Sequence, residues 1–307
     1  MKKIIFLTGI LLPFWALSQS SDTTKHQLFV TTAPRLGGIT VSNQLVPIKA
    51  GSSTITLNQP VVDISIPLYK NFNAPHPIVI KTGFRYDGLF ISNETKISGN
   101  NFHSLSIPIL LSYSLSHTAN LSLIGLMTLS SDFKRNLGAD DILYTAGVRL
   151  GFRPSNALRY GVTLTYISNY SGKYLIPIPD IDWTINKKFV LTAVLPSRVS
   201  LKYKLTGTQS IGITSAFVSN TYLLNDPQKK QYLSLQQATS GLTYDITAYK
   251  RWKLTVIAGH TLMQRLETFD MDQKIPLDGF GELNKRKFNI SYRENSFILQ
   301  AAISYEF

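Results

Sequence analysis

The side chains able to do chemistry in this chain are few, and their spacing is poor for catalysis. Five histidines, His26, His76, His103, His117 and His260, could ligate a metal or carry protons. An extended strand brings ligands to one face at positions i and i+2, and no histidine pair has that spacing. His103 stands beside Ser104, a base next to a hydroxyl. Neighbours on a strand point to opposite faces, so the two cannot work as base and nucleophile. His260 falls on an otherwise apolar face, where an isolated histidine reads as an interface or packing contact. Asp87, Asp245 and Glu267 lie far apart, with nothing to join them as a glycosidase-type acid pair. There is no Gly-rich phosphate loop and no G-x-S-x-G elbow. The chain has no cysteine, which removes thiolate metal sites, disulfides, cysteine nucleophiles and a lipid-modified N-terminal cysteine. No catalytic residue, metal ligand or cofactor is expected, and the chain does not read as an enzyme.

What remains is an ordered excess of cations. Lys81, Arg85, Arg149, Arg153, Arg159, Arg198, Lys202, Lys204, Lys253 and Arg265 fall at alternate positions on polar faces, opposed by Asp63, Asp87, Asp245 and Glu267. Two readings of that pattern stay open. Rings of Arg and Lys lower the energy of an anion in a narrow passage, giving a basic pore. Alternatively, the same side chains fill a narrow interior and pair with its acids. Four acids cannot pair ten bases, which keeps the first reading in play. The net charge is +13, and without Lys2 and Lys3 it is 13 − 2 = +11. An exported chain does not meet nucleic acid, so this charge points to anionic lipopolysaccharide, outer-membrane lipids or small anionic solutes as partners.

The elements that must position these charges are strands. Phe297, Leu299, Ala301, Ile303, Tyr305 and Phe307 alternate with polar residues, as do Ile142 to Phe152, Leu158 to Tyr166 and Leu105 to Leu115. Period-2 alternation of this kind is the signature of a strand, and the spacings of three and four that a helix needs are missing. Short polar turns are expected at 117–120, 154–157, 206–208 and 249–251. Longer connections are expected at 35–58, 92–101, 132–140, 220–231 and 269–295. Alternating short and long connections fit an all-β, up-and-down antiparallel transmembrane barrel. If 189–205 is one strand and 176–186 an external loop, the count is twelve, the preferred figure. If Pro196 marks a turn and 176–186 is a strand, it is fourteen. The runs are about ten to seventeen residues, longer than the five or six of soluble strands and enough for the ~9–11 of a tilted membrane strand. On the apolar faces Tyr113, Phe152, Tyr160, Tyr203 and Trp252 fall beside short turns, while Tyr86, Phe90, Tyr144 and Tyr166 fall toward the other ends, as two aromatic girdles would.

The N-terminus reads as an export signal. Lys2 and Lys3 precede an apolar stretch from Ile4 to Leu17, and Ala16-Leu17-Ser18 supplies small residues for cleavage before Gln19. The organisation expected is a signal peptide at 1–18 and an outer-membrane barrel at 19–307. No later apolar run is long enough for a spanning helix, so a membrane form must be a closed barrel.

Residues 300–307, ending in Tyr305 and Phe307, resemble the terminal aromatic signal by which the barrel-assembly machinery recognises its clients. Residues 84–87 (FRYD), 103–110 (HSLSIPIL), 141–148, 177–183 (PIPDIDW) and 195–203 (LPSRVSLKY) resemble an outer-membrane β-barrel family of unknown function, over roughly 77–307. The chain is more distantly similar to outer-membrane transporters of hydrocarbon and phenol pathways. The resemblance implies a barrel in the bacterial outer membrane and no assigned catalytic residues. The function expected is a channel or transporter for small solutes with a basic lumen. The alternative is a closed structural or surface-interaction barrel, and the third reading is a lipid- or glycan-acting outer-membrane enzyme.

Overall fold

The structure, a computed structural model, describes residues 37–50, 53–134, 137–138, 141–225, 230–249, 251–277 and 286–307. The expected signal peptide, its cleavage point and His26 lie outside the described residues. The described chain is all strand: β1 (Gly38–Ala50), β2 (Ser53–Asn71), β3 (Ile78–Ser92), β4 (Asn101–Ser114), β5 (Ala119–Ser131), β6 (Ile142–Phe152), β7 (Leu158–Asn169) and β8 (Gly172–Thr184). There follow β9 (Phe189–Val194), β10 (Arg198–Lys204), β11 (Gln209–Asn225), β12 (Lys230–Ala248), β13 (Trp252–Asp270), β14 (Ile290–Tyr292) and β15 (Phe297–Glu306).

Each strand pairs antiparallel with the next in sequence from β1 to β13, and β15 pairs with both β13 and β1, which closes the ring. The barrel therefore has fourteen strands, with three-residue β14 as a short branch on β13. The fourteen-strand reading holds over the preferred twelve. Pro196 sits in the 195–197 turn between β9 and β10, and the expected external loop at 176–186 is mostly β8. The expected connection at 35–58 also gives way, because β1 and the start of β2 occupy most of it.

One rim, here the terminal rim, carries Gly38, Glu306 and the turns after β2, β4, β6, β8, β10 and β12. The other, the loop rim, carries the remaining connections. Alternation sorts the faces. Val41, Ile107, Ile109, Leu123, Val162, Leu164, Ile213, Leu242 and Ile303 are exposed on the outside. Serine and threonine dominate the inside, where Ser106 meets Thr128 at 2.8 Å and Ser200 meets Thr214 at 2.9 Å. Outward aromatic pairs ring the terminal rim: Phe152 with Tyr160, Phe189 with Tyr203 and Trp252 with Tyr305, with ring centres 5.5, 5.0 and 4.8 Å apart.

The loop rim departs from a plain cylinder. On β13, Leu262 is an extra residue, because Ala238 faces Met263 while Thr239 faces Thr261. Such a bulge bends its strand and reverses the facing of everything beyond it. Above that point β13 leaves β15, whose pairing ends at His260–Phe297, and takes β14 as its neighbour. The loop-rim end of the β11–β12 hairpin turns into the mouth, where Leu223 forms a parallel bridge with Ser131 at the end of β5. The pairing of β1 with β15 stops at Leu45–Leu299, and Pro47, which has no N–H to leave unbonded, stands just past it.

Both faces of the inturned hairpin are packed. Tyr222, Leu224, Leu233 and Leu235 meet Val46, Ile48, Ile55, Leu57, Leu89, Ile91, Phe102 and Ile298 from the walls of β1–β4 and β15. On the other side Leu223 and Tyr232 meet Tyr170, Phe269 and the partly buried Leu143. Val46, Leu57 and Leu235 are each 0% exposed, and removing such a side chain from water stabilises by about 1.5–3 kcal/mol. This apolar core lies inside the barrel.

Candidate functional site

The interior between the apolar core and the terminal rim carries the charges. Asp63 and Arg85 are register partners on β2 and β3, and Asp87 follows Arg85 by two on the same face. Arg85 grips Asp87 with two parallel bonds, Nε to Oδ2 and Nη2 to Oδ1, each 2.7 Å, and its Nη1 lies 3.7 Å from Asp63. A bidentate fork of this kind is among the stronger pairings a charged side chain makes. The side chains of Arg85 and Asp63 are still 46% exposed, so the cluster faces lumen water.

A second pair spans a strand. Arg149 on β6 donates from Nε and Nη2 to Asp180 on β8, at 2.9 and 2.7 Å. Its path crosses β7 at Gly161, where a Cβ would sit 2.7 Å from the guanidinium. Glycine at that point makes the reach possible. In the next inward pair, Arg159 faces Asp182 in register. A third cluster centres on Asp245 of β12, which pairs with Lys202, lies 3.3 Å from Lys253, and accepts from Thr255 at 2.6 Å and Ser210 at 3.1 Å.

The remaining expected lumen residues are placed as follows. Lys81 donates to Ser65 at 3.3 Å inside the barrel. Arg153 stands in the β6–β7 turn at the terminal rim, exposed, and donates to Asn156 at 2.9 Å. Arg198 faces inward at the loop-rim end of β10, and Lys204 faces inward at its other end. Arg265 does not face the lumen. The bulge at Leu262 carries Gln264, Leu266 and Thr268 inward, so Arg265 and Glu267 turn out. Glu267, expected among the lumen acids, instead bonds Ser291 at 2.9 Å and pairs with Arg293 beside β14.

Two acids escaped the sequence reading. Asp180 and Asp182 sit in the PIPDIDW run, where the expected element is a loop, yet the run is strand and both side chains are inward and buried. The alternation of Asp180, Asp182 and Thr184 with Pro179, Ile181 and Trp183 is the sequence signal that points to them. They remove much of the apparent surplus of base.

Between charges and apolar core lies an amide layer. Gln44 donates to Gln237 at 2.6 Å across the interior, and Gln237 donates to Gln264 at 2.6 Å. Gln59 is the register partner of Gln44, and the amide nitrogens of Gln59 and Gln264 are buried without a hydrogen-bond partner among the described residues.

The histidines are not gathered. His103 faces outward, bonded through Nδ1 to the Tyr86 hydroxyl at 2.8 Å and flanked by Phe90 and Phe133. His103, Asp132 and Lys134 border a surface groove of about 500 Å³ at the loop rim. His76 stacks on Tyr113, and His260 bonds its neighbour's carbonyl at 2.7 Å. Among the described residues no group of three or more His, Asp or Glu could hold a metal. In the turn after β7, Tyr170 donates to the Asp141 carbonyl at 3.0 Å, and burial pushes its hydroxyl well above the usual phenol range. At the chain end Tyr305 accepts from Arg251 at 3.3 Å, while Phe307 is 56% exposed in the terminal aromatic belt. Chemically, the lumen offers ion-paired side chains facing water, with hydroxyls and amides, and no assembled nucleophile and base.

The chain belongs to a family described as a domain of unknown function (DUF6268), which it matches over residues 50–305. No curated protein matches it. Among solved structures it is similar to an outer membrane channel from Pseudomonas putida F1, at 10% identity and a TM-score of 0.46, over 90% of this chain and 97% of that one. It is also similar to a deletion mutant of the TodX monoaromatic hydrocarbon channel, at 9% identity and 0.39, over 89% and 90%. The NanC porin matches at 8% identity and 0.37, over 88% and 100%.

Proposed function

We propose that this chain spans the bacterial outer membrane and passes small solutes through its lumen. The observation that carries the reading is the two-sided wall. Apolar residues cover the outside above an aromatic belt at the terminal rim, whereas the interior is polar and charged. The closed ring pairs backbone groups between neighbouring strands all the way around, as a hydrocarbon surround demands. The acids Asp180 and Asp182 cut the surplus of base, so the preference for anions is weaker than a ten-to-four imbalance would give.

A second reading rests on a specific observation, the packed core at the loop rim. If that core never opens, the barrel is a closed structural element whose outer loops meet partners. Fractionation and a bilayer recording test both. The mature chain should sediment with the outer membrane and run anomalously on gels when unheated, and reconstituted protein should show discrete conductance. Recovery as a soluble periplasmic protein would end the membrane reading. An intact heat-shiftable barrel that never conducts would leave the closed one.

A further inference from the structure

The outer wall carries a polar group that a membrane cannot serve. Asn43 lies on β1 between Val41 and Leu45, which are 50% and 41% exposed, and like them it points out of the barrel and is exposed. Its register partners are Ala301 of β15 and Pro60 of β2. Four residues below it, Ile39 pairs with Tyr305 of the terminal aromatic belt. Four residues of tilted strand rise about 10 Å, which puts the Asn43 amide near the middle of an apolar band roughly 25 Å tall.

Other polar side chains on the outer wall find partners within it. Thr82 donates to the Pro108 carbonyl at 2.9 Å, Ser215 donates to Ser240 at 3.0 Å, and His260 bonds the Thr261 carbonyl at 2.7 Å. Asn43 makes no side-chain hydrogen bond among the described residues. Asn58, diagonal to it across the β1–β2 pair, has its side-chain oxygen buried and unbonded among the same residues. Hydrocarbon supplies neither donors nor acceptors, so an amide left bare at that depth forfeits the bonds it makes in water. The wall around it is low. Ala301 and Pro60 flank the amide, and beyond Pro60 stands Gly88, where a Cβ would meet the Pro60 ring at 2.9 Å. Small residues let two membrane-spanning surfaces approach closely.

We propose that this strip of outer wall, centred on Asn43, is where a second copy of the chain docks within the membrane. This rests on the reading of the chain as a membrane-spanning barrel. The occupant follows from the chemistry of the group. Lipid tails cannot bond an amide and headgroups lie above and below that depth, so the partner is protein. A carboxamide carries both donor and acceptor, so it is complementary to a copy of itself. Two copies related by a two-fold axis along the membrane normal bring the same residue face to face at the same depth. The two Asn43 amides can then exchange a pair of N–H···O bonds, and the low flanks at Ala301 and Pro60 let the β1 strands come near enough to do so.

The native chain has no cysteine, so single thiols report cleanly. In lipid vesicles at low protein density, Leu45→Cys, the next outward position on β1, should be joined to a second copy by a short bis-maleimide. Leu164→Cys, 50% exposed on the outer face of β7, should not. Adding Asn43→Leu to Leu45→Cys should lower the joined fraction about fivefold, the size of one or two interchain hydrogen bonds in a membrane. Asn43→Gln keeps an amide and should retain most of the joining. Val41→Cys, on the other side of Asn43, serves where Leu45→Cys does not insert. A thiol at 45 that is never joined, in a barrel that keeps its heat shift, overturns the docking face and leaves the barrel reading standing. Equal joining at 45 and 164, or joining that Asn43→Leu leaves unchanged, overturns it as well. So does joining in native membranes to a different chain alone. Loss of the heat shift in the native chain would sink the barrel reading itself.

Discussion

The two halves of one lumen are built on opposite terms. Near the terminal rim, inward positions carry Arg149, Asp180, Lys202, Asp245 and Lys253, each largely buried and within reach of an oppositely charged partner. Near the loop rim, inward positions of the same strands carry aliphatic groups packed dry against an inturned hairpin. The strand period is the same in both, and so is the pairing. The difference is what stands across the lumen. Where no part of the chain crosses, charged residues stand in pairs, so that each charge drawn out of bulk water keeps its counter-charge. Where another part of the chain crosses, every inward group is desolvated, and only apolar groups tolerate that without a bonding partner.

The sharpest way to break this contrast is to carry one half's chemistry into the other. Leu57→Asp places a carboxylate at a 0% exposed position with no base beside it. Stability should fall by several kcal/mol, on the order of the ~3–5 seen for uncompensated buried charge, read as a lower urea midpoint for loss of the unheated gel band. A drop below about 1 kcal/mol would mean that the loop half is wet. In the terminal half the equivalent change should be milder. Asp245→Asn leaves Lys202 and Lys253 near each other without their acid. A loss of about 3 kcal/mol, the low end for a broken buried pair, is expected on the same assay, because the two lysines are left largely buried without a counter-charge. The smallest effect belongs to the surface of the path. Changing Arg149 and Arg153 together to Glu should flatten or reverse any anion preference in bilayer recordings while the unheated gel band persists. The change should fade at 1 M salt, where the Debye length falls from about 10 Å to about 3 Å. Selectivity that ignores both residues would place the ion path away from the β6–β8 wall.

How much of this was legible in the sequence depends on what each feature needs to be seen. Strands of strict alternation, such as β6, β7 and β15, were legible because the outside of the ring is uniformly apolar. The girdle positions of Phe152, Tyr160 and Trp252 followed from them. β8 was obscured by Pro177 and Pro179, which read as loop residues yet point outward within the strand. With β8 went Asp180 and Asp182, and with them the true balance of charge in the lumen. The apolar core could not be read at all. Leu223 and Leu224 are adjacent, so no single-face pattern predicts that both are buried, and only the crossing of the mouth by the hairpin makes it so.

The bulge at Leu262 has a consequence best put as information. An alternating strand carries a one-bit code, in or out, and each residue's bit is fixed by the one before it. One inserted residue inverts every later bit while leaving the sequence pattern on either side looking intact. Here the inversion sends Arg265 and Glu267 out and brings Gln264, Leu266 and Thr268 in, and Gln264 and Leu266 complete the amide layer and the core. Deleting Leu262 would restore the original parity. It would bring a guanidinium and a carboxylate to the packed side of β13, so a single codon separates the apolar half of this lumen from a charged one.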